Sequence, residues 1–172
     1  MAASMNLTSV ASVKAYLGET GAAYDGVLQA LIGRVSEAVE THCGRRFGLA
    51  AVTEFRDGLG RSRLVLRRRP VSSVTSVHDD PGRTFGAATL VPASEYTVYP
   101  ESGILELEGG VFQDGARNVK IVYTAGYEAA PDDLEHAAIL WVAACFNRAR
   151  DGADGLAEER LGEYTARHDP AP

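Results

Sequence analysis

A run of ten apolar residues, from Ala137 to Phe146, limits the possible folds of this chain more than any other feature. Pro131 precedes the run and suits the first turn of a helix, where its missing N–H costs nothing. Two aspartates follow it, at the end of a helix that favours negative charge. A helix is therefore predicted over residues 131–150. Its apolar run spans only about 15 Å, roughly half of a bilayer core, so it does not cross a membrane.

A helix that is apolar on every side must be covered on every side. One stripe at helical spacing is predicted to face the chain's own core, and it consists of Leu134, Ala137, Ala138, Trp141 and Cys145. A second stripe is predicted to contact a neighbouring copy of the chain, and it consists of Ile139, Val142 and Phe146. On this assignment Trp141→Asp should destroy the fold by burying an unpaired charge. Phe146→Asp should instead leave a soluble monomer.

The composition is that of an ordinary globular protein. The 172 residues, 45% hydrophobic and 23% charged, predict one domain with a core of its own. The N-terminus lacks the basic flank and apolar stretch of a secretory signal, so none is expected. Cys43 and Cys145 are interpreted as small buried hydrophobes, which fits a reducing cytoplasm. The net charge of −6 argues against broad, non-specific binding of nucleic acid.

Helices are predicted over residues 8–18 and 23–44, and a β region over residues 50–124. The last strand alternates in the manner of a half-buried strand. It places Val119, Ile121 and Tyr123 on one face and Lys120, Val122 and Thr124 on the other. The order of two helices, five or six strands and one helix predicts an α+β fold with a small antiparallel β region. The predicted domain covers residues 1–152.

Two local patterns in the β region carry their own predictions. Val71, Val74 and Val77 recur at every third position, which matches neither regular period and predicts a strand with a bulge. Residues 80–83 read Asp-Pro-Gly-Arg, which predicts a type II turn.

Residues 153–172 form a segment with few apolar side chains. Such a segment buries too little surface to order itself, so an extended C-terminal tail is predicted. Leu161 and Tyr164 are its candidate anchors for a partner protein.

No motif of a catalytic, nucleotide or zinc site occurs in the sequence. The patterns G-x-S-x-G, H-E-x-x-H and C-x-x-C are all absent, as is a phosphate-binding loop. The histidines do not cluster as metal ligands would, being His42, His78, His136 and His168. We therefore expect no catalytic residue, no metal and no cofactor, and we rank an enzyme lowest among the candidate functions.

The densest positive run is Arg67-Arg68-Arg69. It predicts a contact with nucleic-acid phosphate or with an acidic partner. A solvated strand end is the simpler interpretation, and the negative net charge favours it. The alternative function is a small nucleic-acid-binding module that uses the basic strand Arg63–Arg69.

Short stretches at both ends of the chain together resemble one known family. They are Leu7-Thr8, the helix end at residues 13–18, the His42-Cys43-Gly44-Arg45-Arg46-Phe47 stretch, residues 69–74, and residues 123–127 with the alanine-rich helix after Pro131. In this order and spacing the sequence resembles the head–tail connector (adaptor) proteins of phages, including those of gene transfer agents. The resemblance covers roughly residues 7–150.

The resemblance implies a structural protein of a virion, not an enzyme. Connectors of this kind form a ring, usually of twelve copies, that joins the portal protein to a neck or tail-completion protein at the head–tail junction. DNA passes through the ring without sequence specificity, and no membrane is involved. The protein would be made in the cytoplasm of a bacterial host. The portal-binding role of the family's C-terminal segment is carried here to Leu156, Leu161, Gly162 and Tyr164.

Overall fold

The computed structural model describes residues 5–150 in full and the backbone of residues 158–161 and 164–167. Three α-helices and antiparallel sheets make up the described chain, which confirms the predicted α+β class. The chain divides into two units. The sheet unit comprises Met1–Met5 and Glu40–Ala130, and the helical unit comprises Asn6–Val39 and Pro131–Pro172.

The helices are α1 (Val10–Leu17), α2 (Asp25–His42) and α3 (Asp132–Arg150). Ser9 caps α1, because its side chain accepts the N–H of Ser12, and Gly18 ends the helix in the left-handed conformation. Buried apolar side chains of the helical unit come from all three helices: Val13, Leu28, Ile32, Val35, Ala138, Val142, Ala143 and Phe146. The helical unit is thus held by a core to which every helix contributes.

The predicted orientation of α3 is wrong. Val142 and Phe146 are buried inside the chain, Phe146 with only 3% of its surface exposed, and Ile139 is half-buried. Trp141, predicted to lie in the core, is 45% exposed. Helical spacing fixes which residues share a face, but a run without a polar face does not say which face turns inward. The buried neighbours Ala138 and Ala143 are small, whereas Trp141 needs far more space.

The cysteine interpretation is also corrected. Cys43 is exposed, because α2 ends at His42 and leaves Cys43 in the turn that follows. Cys145 is half-buried.

Two antiparallel sheets form the sheet unit. The four-stranded sheet has the order β1 (Ala50–Gly58), β7 (Gly115–Ala125), β3 (Val71–Asp79) and β4 (Leu90–Val91). The three-stranded sheet has the order β2 (Arg63–Val65), β6 (Ile104–Leu107) and β5 (Tyr96–Tyr99). Short 3-10 turns at Ala87–Thr89 and Ala93–Glu95 lie on either side of β4. The buried core draws on strands of both sheets, including Leu64, Val77, Leu105, Val119, Ile121 and Tyr123.

Strand β3 explains the three-residue period of its valines. Val71, Val74 and Val77 lie opposite Ala125, Tyr123 and Ile121 of β7. The register shifts between Val71 and Ser73 and again between Val74 and Ser76. Each shift inserts one extra residue, so an inward-facing side chain returns after three residues instead of two. The predicted strand with a bulge is confirmed, with two irregularities where one was expected.

The predicted turn at residues 80–83 is present, but it is not of type II. Arg83 donates its N–H to the Asp80 carbonyl over 2.9 Å. The left-handed residue is Arg83, not Gly82, whereas a type II turn would require it at Gly82. The Asp80 carboxylate accepts the N–H groups of Gly82, Thr84 and Phe85 at 2.7–2.8 Å, and this side-chain network sets the backbone conformation.

Candidate interaction surfaces

A cavity of about 670 Å³ opens in the sheet unit beside β1. It is lined by Val52–Asp57, Leu59, Arg67, Arg68, Arg117 and Tyr123. β1 is an edge strand, with β7 as its only neighbour in the four-stranded sheet. Side chains alternate between the faces of a strand, so a cavity lined by six consecutive residues touches both faces of β1. We call this surface the β1 edge cavity.

A buried carboxylate lies at the wall of the β1 edge cavity. Glu54 is 6% exposed, and its Oε2 accepts the Tyr123 hydroxyl at 2.6 Å and the Arg67 N–H at 3.2 Å. Its Oε1 lies 3.6 Å from Arg56 Nε and 3.8 Å from Arg67 Nε. Burial and the bond to Glu54 both raise the pKa of Tyr123 well above its ordinary value, so the phenol stays a donor.

The predicted basic strand does not act as one patch. Arg63 Nε pairs with Glu106 at 2.8 Å and does not line the cavity. Arg67 and Arg68 do line it. Arg69 is exposed and contributes its carbonyl, which accepts Arg45 Nη2 at 2.6 Å.

Two further arginines of the cavity were not predicted from the sequence. Arg56 belongs to β1, and Arg117 lies in β7 with its guanidinium 5.4 Å from the centre of the Phe55 ring. They are isolated in the sequence, and the pairing of β1 with β7 brings them together. The segment between β2 and β3 adds Arg67 and Arg68, whose N–H groups bond to Glu54 and Tyr123. The alternation of β1, which turns Glu54 and Arg56 to one face, was the one available signal.

A second candidate surface lies on α3. Ala137, Leu140, Trp141 and Ala144 are all exposed, and they recur at the spacing of one helix face. Leu140 is 42% exposed. We call this row the α3 outer stripe. Of the residues predicted to contact a neighbouring copy, Val142 and Phe146 are buried and Ile139 is half-buried, which leaves little of their surface for such a contact.

The predicted tail contacts fall partly on described backbone. β8 (Glu158–Leu161) pairs antiparallel with β9 (Tyr164–Arg167), and Leu161 is opposite Tyr164. Leu156 and Gly162 lie outside the described residues. Across the described part of the chain, no three His, Cys, Asp or Glu side chains are grouped as metal ligands. Among the same residues, no helix is both long and apolar enough to span a membrane.

Comparison with known sequences identifies the family. The family described as head completion protein matches residues 6–150. This chain belongs to that family. No curated protein matches the chain.

Solved structures share the fold of this family member. One is a chain from the neck of a native gene transfer agent (GTA) particle computed with C12 symmetry, with a TM-score of 0.60 and 20% identity over all of this chain and 84% of that chain. Another, from the neck of an empty GTA particle computed with C6 symmetry, has a TM-score of 0.58 and 22% identity over all of this chain and 85% of that chain. A third, from the virion of a native GTA, has a TM-score of 0.56 and 22% identity over 82% of this chain and 78% of that chain. The family and the fold together confirm the resemblance to head–tail connectors of the gene transfer agent type.

Proposed function

We propose that this protein is a structural subunit of the neck of a phage-like particle, where copies of it form a ring between the portal and the tail. The observation that carries the proposal is membership of the head completion protein family over residues 6–150. Support comes from the fold shared with chains from GTA necks that were solved with C12 and C6 symmetry. The protein would act by assembly and not by catalysis.

The α3 outer stripe is our proposed contact between copies. Leu140 and Trp141 are 42% and 45% exposed, so burying the rest of each would contribute roughly half of the ~1.5–3 kcal/mol that full burial of a large apolar side chain contributes. Ala137 and Ala144 flank them in the stripe and are small enough for a neighbouring backbone to approach. In a ring each copy presents this surface to a different surface of the next copy. Such a contact gives a closed ring when the rotation from copy to copy adds up to a full turn.

The remaining partners follow from the same role. The portal would bind the tail through Leu156, Leu161, Gly162 and Tyr164, and a neck or tail-completion protein would lie on the other side of the ring. DNA would pass through the lumen without sequence specificity, and the net charge of −6 would keep it from adhering. The site of action is the head–tail junction of the virion, after synthesis in the cytoplasm of a bacterial host.

A nucleic-acid-binding module is less well supported. It requires one basic patch along residues 63–69, but Arg63 is paired with Glu106 and only Arg67 and Arg68 of this stretch line the β1 edge cavity.

The ring is tested by electron microscopy of the purified chain, alone and mixed with its portal protein. We expect closed cyclic particles for the wild type and their loss in Trp141→Asp, because the charge would be buried at each contact. Val111→Asp is the matched control, since it adds the same charge at another exposed apolar residue of the sheet unit. It should assemble as the wild type does.

The outcomes separate the ring from its contact surface. Wild-type protein that stays monomeric with its cognate portal would contradict the ring itself. If folded Trp141→Asp still formed rings, the ring would be supported, but the α3 outer stripe would not be the contact between copies.

A further inference from the structure

The β1 edge cavity combines features of a peptide-binding site, and they lie wholly within the sheet unit. We propose that it takes an extended, acidic segment of a partner protein, added to the sheet as a strand beside β1. The proposal does not depend on the ring, because it concerns a different unit of the chain from the α3 outer stripe.

Strand β1 has a free edge. β1 is nine residues long, and its outer side has no strand partner within the described chain. An edge strand presents a row of N–H and C=O groups to which a further strand can pair. The six cavity-lining residues, Val52–Asp57, extend over about 20 Å, which is enough for a strand of typical length.

The cavity carries a local excess of positive charge. Its lining holds four arginines, Arg56, Arg67, Arg68 and Arg117, against two carboxylates, Glu54 and Asp57. The whole chain carries a net charge of −6, so this local excess of positive charge is opposite in sign to the rest of the molecule. Exposed Phe55 and Leu59 add apolar surface at the same place. Acidic side chains alternating with apolar ones would complement both features.

Two polar atoms in the wall of the cavity are buried. Glu54 Oε1 and Arg68 Nε have no hydrogen-bond partner within the described residues. Glu54 Oε1 lies 3.6 Å from Arg56 Nε and 3.8 Å from Arg67 Nε, and Arg68 Nη2 donates to the Gly48 carbonyl. These contacts hold the arginines of the wall in place before a ligand binds, which lowers the entropy that binding costs.

These features favour a peptide over DNA. A phosphate backbone offers acceptors only, so it has no donor for the C=O groups of the free β1 edge. A peptide backbone offers an N–H and a C=O at each residue, and its acidic side chains still engage the exposed guanidinium of Arg67.

The test uses the full chain and fluorescein-labelled probes. The probe peptide alternates valine and glutamate over six residues, and its charge-reversed partner alternates valine and lysine. A DNA duplex of mixed sequence is the third probe. Fluorescence anisotropy at about 150 mM salt, where long-range attraction is screened, measures binding. Hydrogen exchange measures protection of the β1 amides in residues 51–57.

The proposal expects binding of the Val-Glu peptide and slower exchange of the β1 amides. The double variant Arg67→Gln with Arg117→Gln should weaken binding by about tenfold, since each lost charge-assisted contact is worth roughly a few-fold. Arg61→Gln is the matched control, because Arg61 is exposed in the same unit and does not line the cavity. It should bind as the wild type does.

Three kinds of result would overturn the proposal. One is the wrong peptide preference, which means either equal binding of the Val-Lys peptide or no binding of the Val-Glu peptide. Another is tighter, Arg67- and Arg117-dependent binding of the duplex, which would make the cavity a DNA contact. The third is peptide binding without protection of residues 51–57, which would exclude strand addition.

Discussion

Strand β7 and helix α3 are both rich in apolar residues, yet they differ in how firmly each is oriented. β7 buries Val119, Ile121 and Tyr123, and leaves the alternate residues half-buried. Strands on both sides hold it in register, β1 through one edge and β3 through the other. α3 has ten apolar residues in succession, and its own sequence marks no outer face. A period of two with one polar face fixes a strand's orientation, whereas an all-apolar helix depends on the shapes of its neighbours.

The largest expected effect tests the orientation of α3. Phe146→Asp should lower the free energy of unfolding by at least about 4 kcal/mol, because it buries an unpaired charge. Trp141→Asp should cost only about 1 kcal/mol, because that side chain is already half in solvent. Urea denaturation of the two variants measures both values. If Trp141→Asp lowered the free energy of unfolding more than Phe146→Asp does, the orientation of α3 predicted from the sequence would be supported instead.

A smaller effect tests β7. Tyr123→Phe should lower the free energy of unfolding by about 1–3 kcal/mol, because the Glu54 carboxylate loses the buried hydroxyl that donates to it. Tyr99→Phe is the matched control: its hydroxyl also donates to a carboxylate, that of Glu106 at 3.2 Å, but at an exposed site. We expect it to change stability by less than about 0.5 kcal/mol. Equal losses in the two variants would show that the burial of Glu54 does not matter.

The smallest expected effect concerns pH and the turn that follows β3. Hydrogen bonds from the Phe85 N–H and the Thr84 hydroxyl hold the pKa of Asp80 below its ordinary value. A lowered pKa means that the stabilisation is complete above the pKa of the unfolded chain and is lost as pH falls through the folded value. Between about pH 5 and pH 2 the wild type should therefore lose stability more steeply than Asp80→Asn. Urea denaturation across this pH range measures the free energy of unfolding of both proteins. If the two free energies fell in parallel as the pH is lowered, Asp80 would not have this role.

The residue order alone determined much of this protein. Pro131 and the aspartates after it predicted the start of α3, and the alternation of apolar residues assigned the two faces of β7. The spacing of Val71, Val74 and Val77 indicated an irregular β3. These are local signals, because they depend on backbone chemistry and on neighbours a few residues away.

Only the tertiary structure decided the rest. The inward face of α3 depends on which side of the helix fits against the rest of the core. The small side chains of Ala138 and Ala143 are buried there, whereas Trp141 needs more space. The β1 edge cavity depends on strand pairing, which brings Arg117 to Arg56, and on the bond from the Arg67 N–H to Glu54. Local periodicity does not predict which distant residues will contact each other, because strand register and side-chain packing are determined only when the strands and helices assemble.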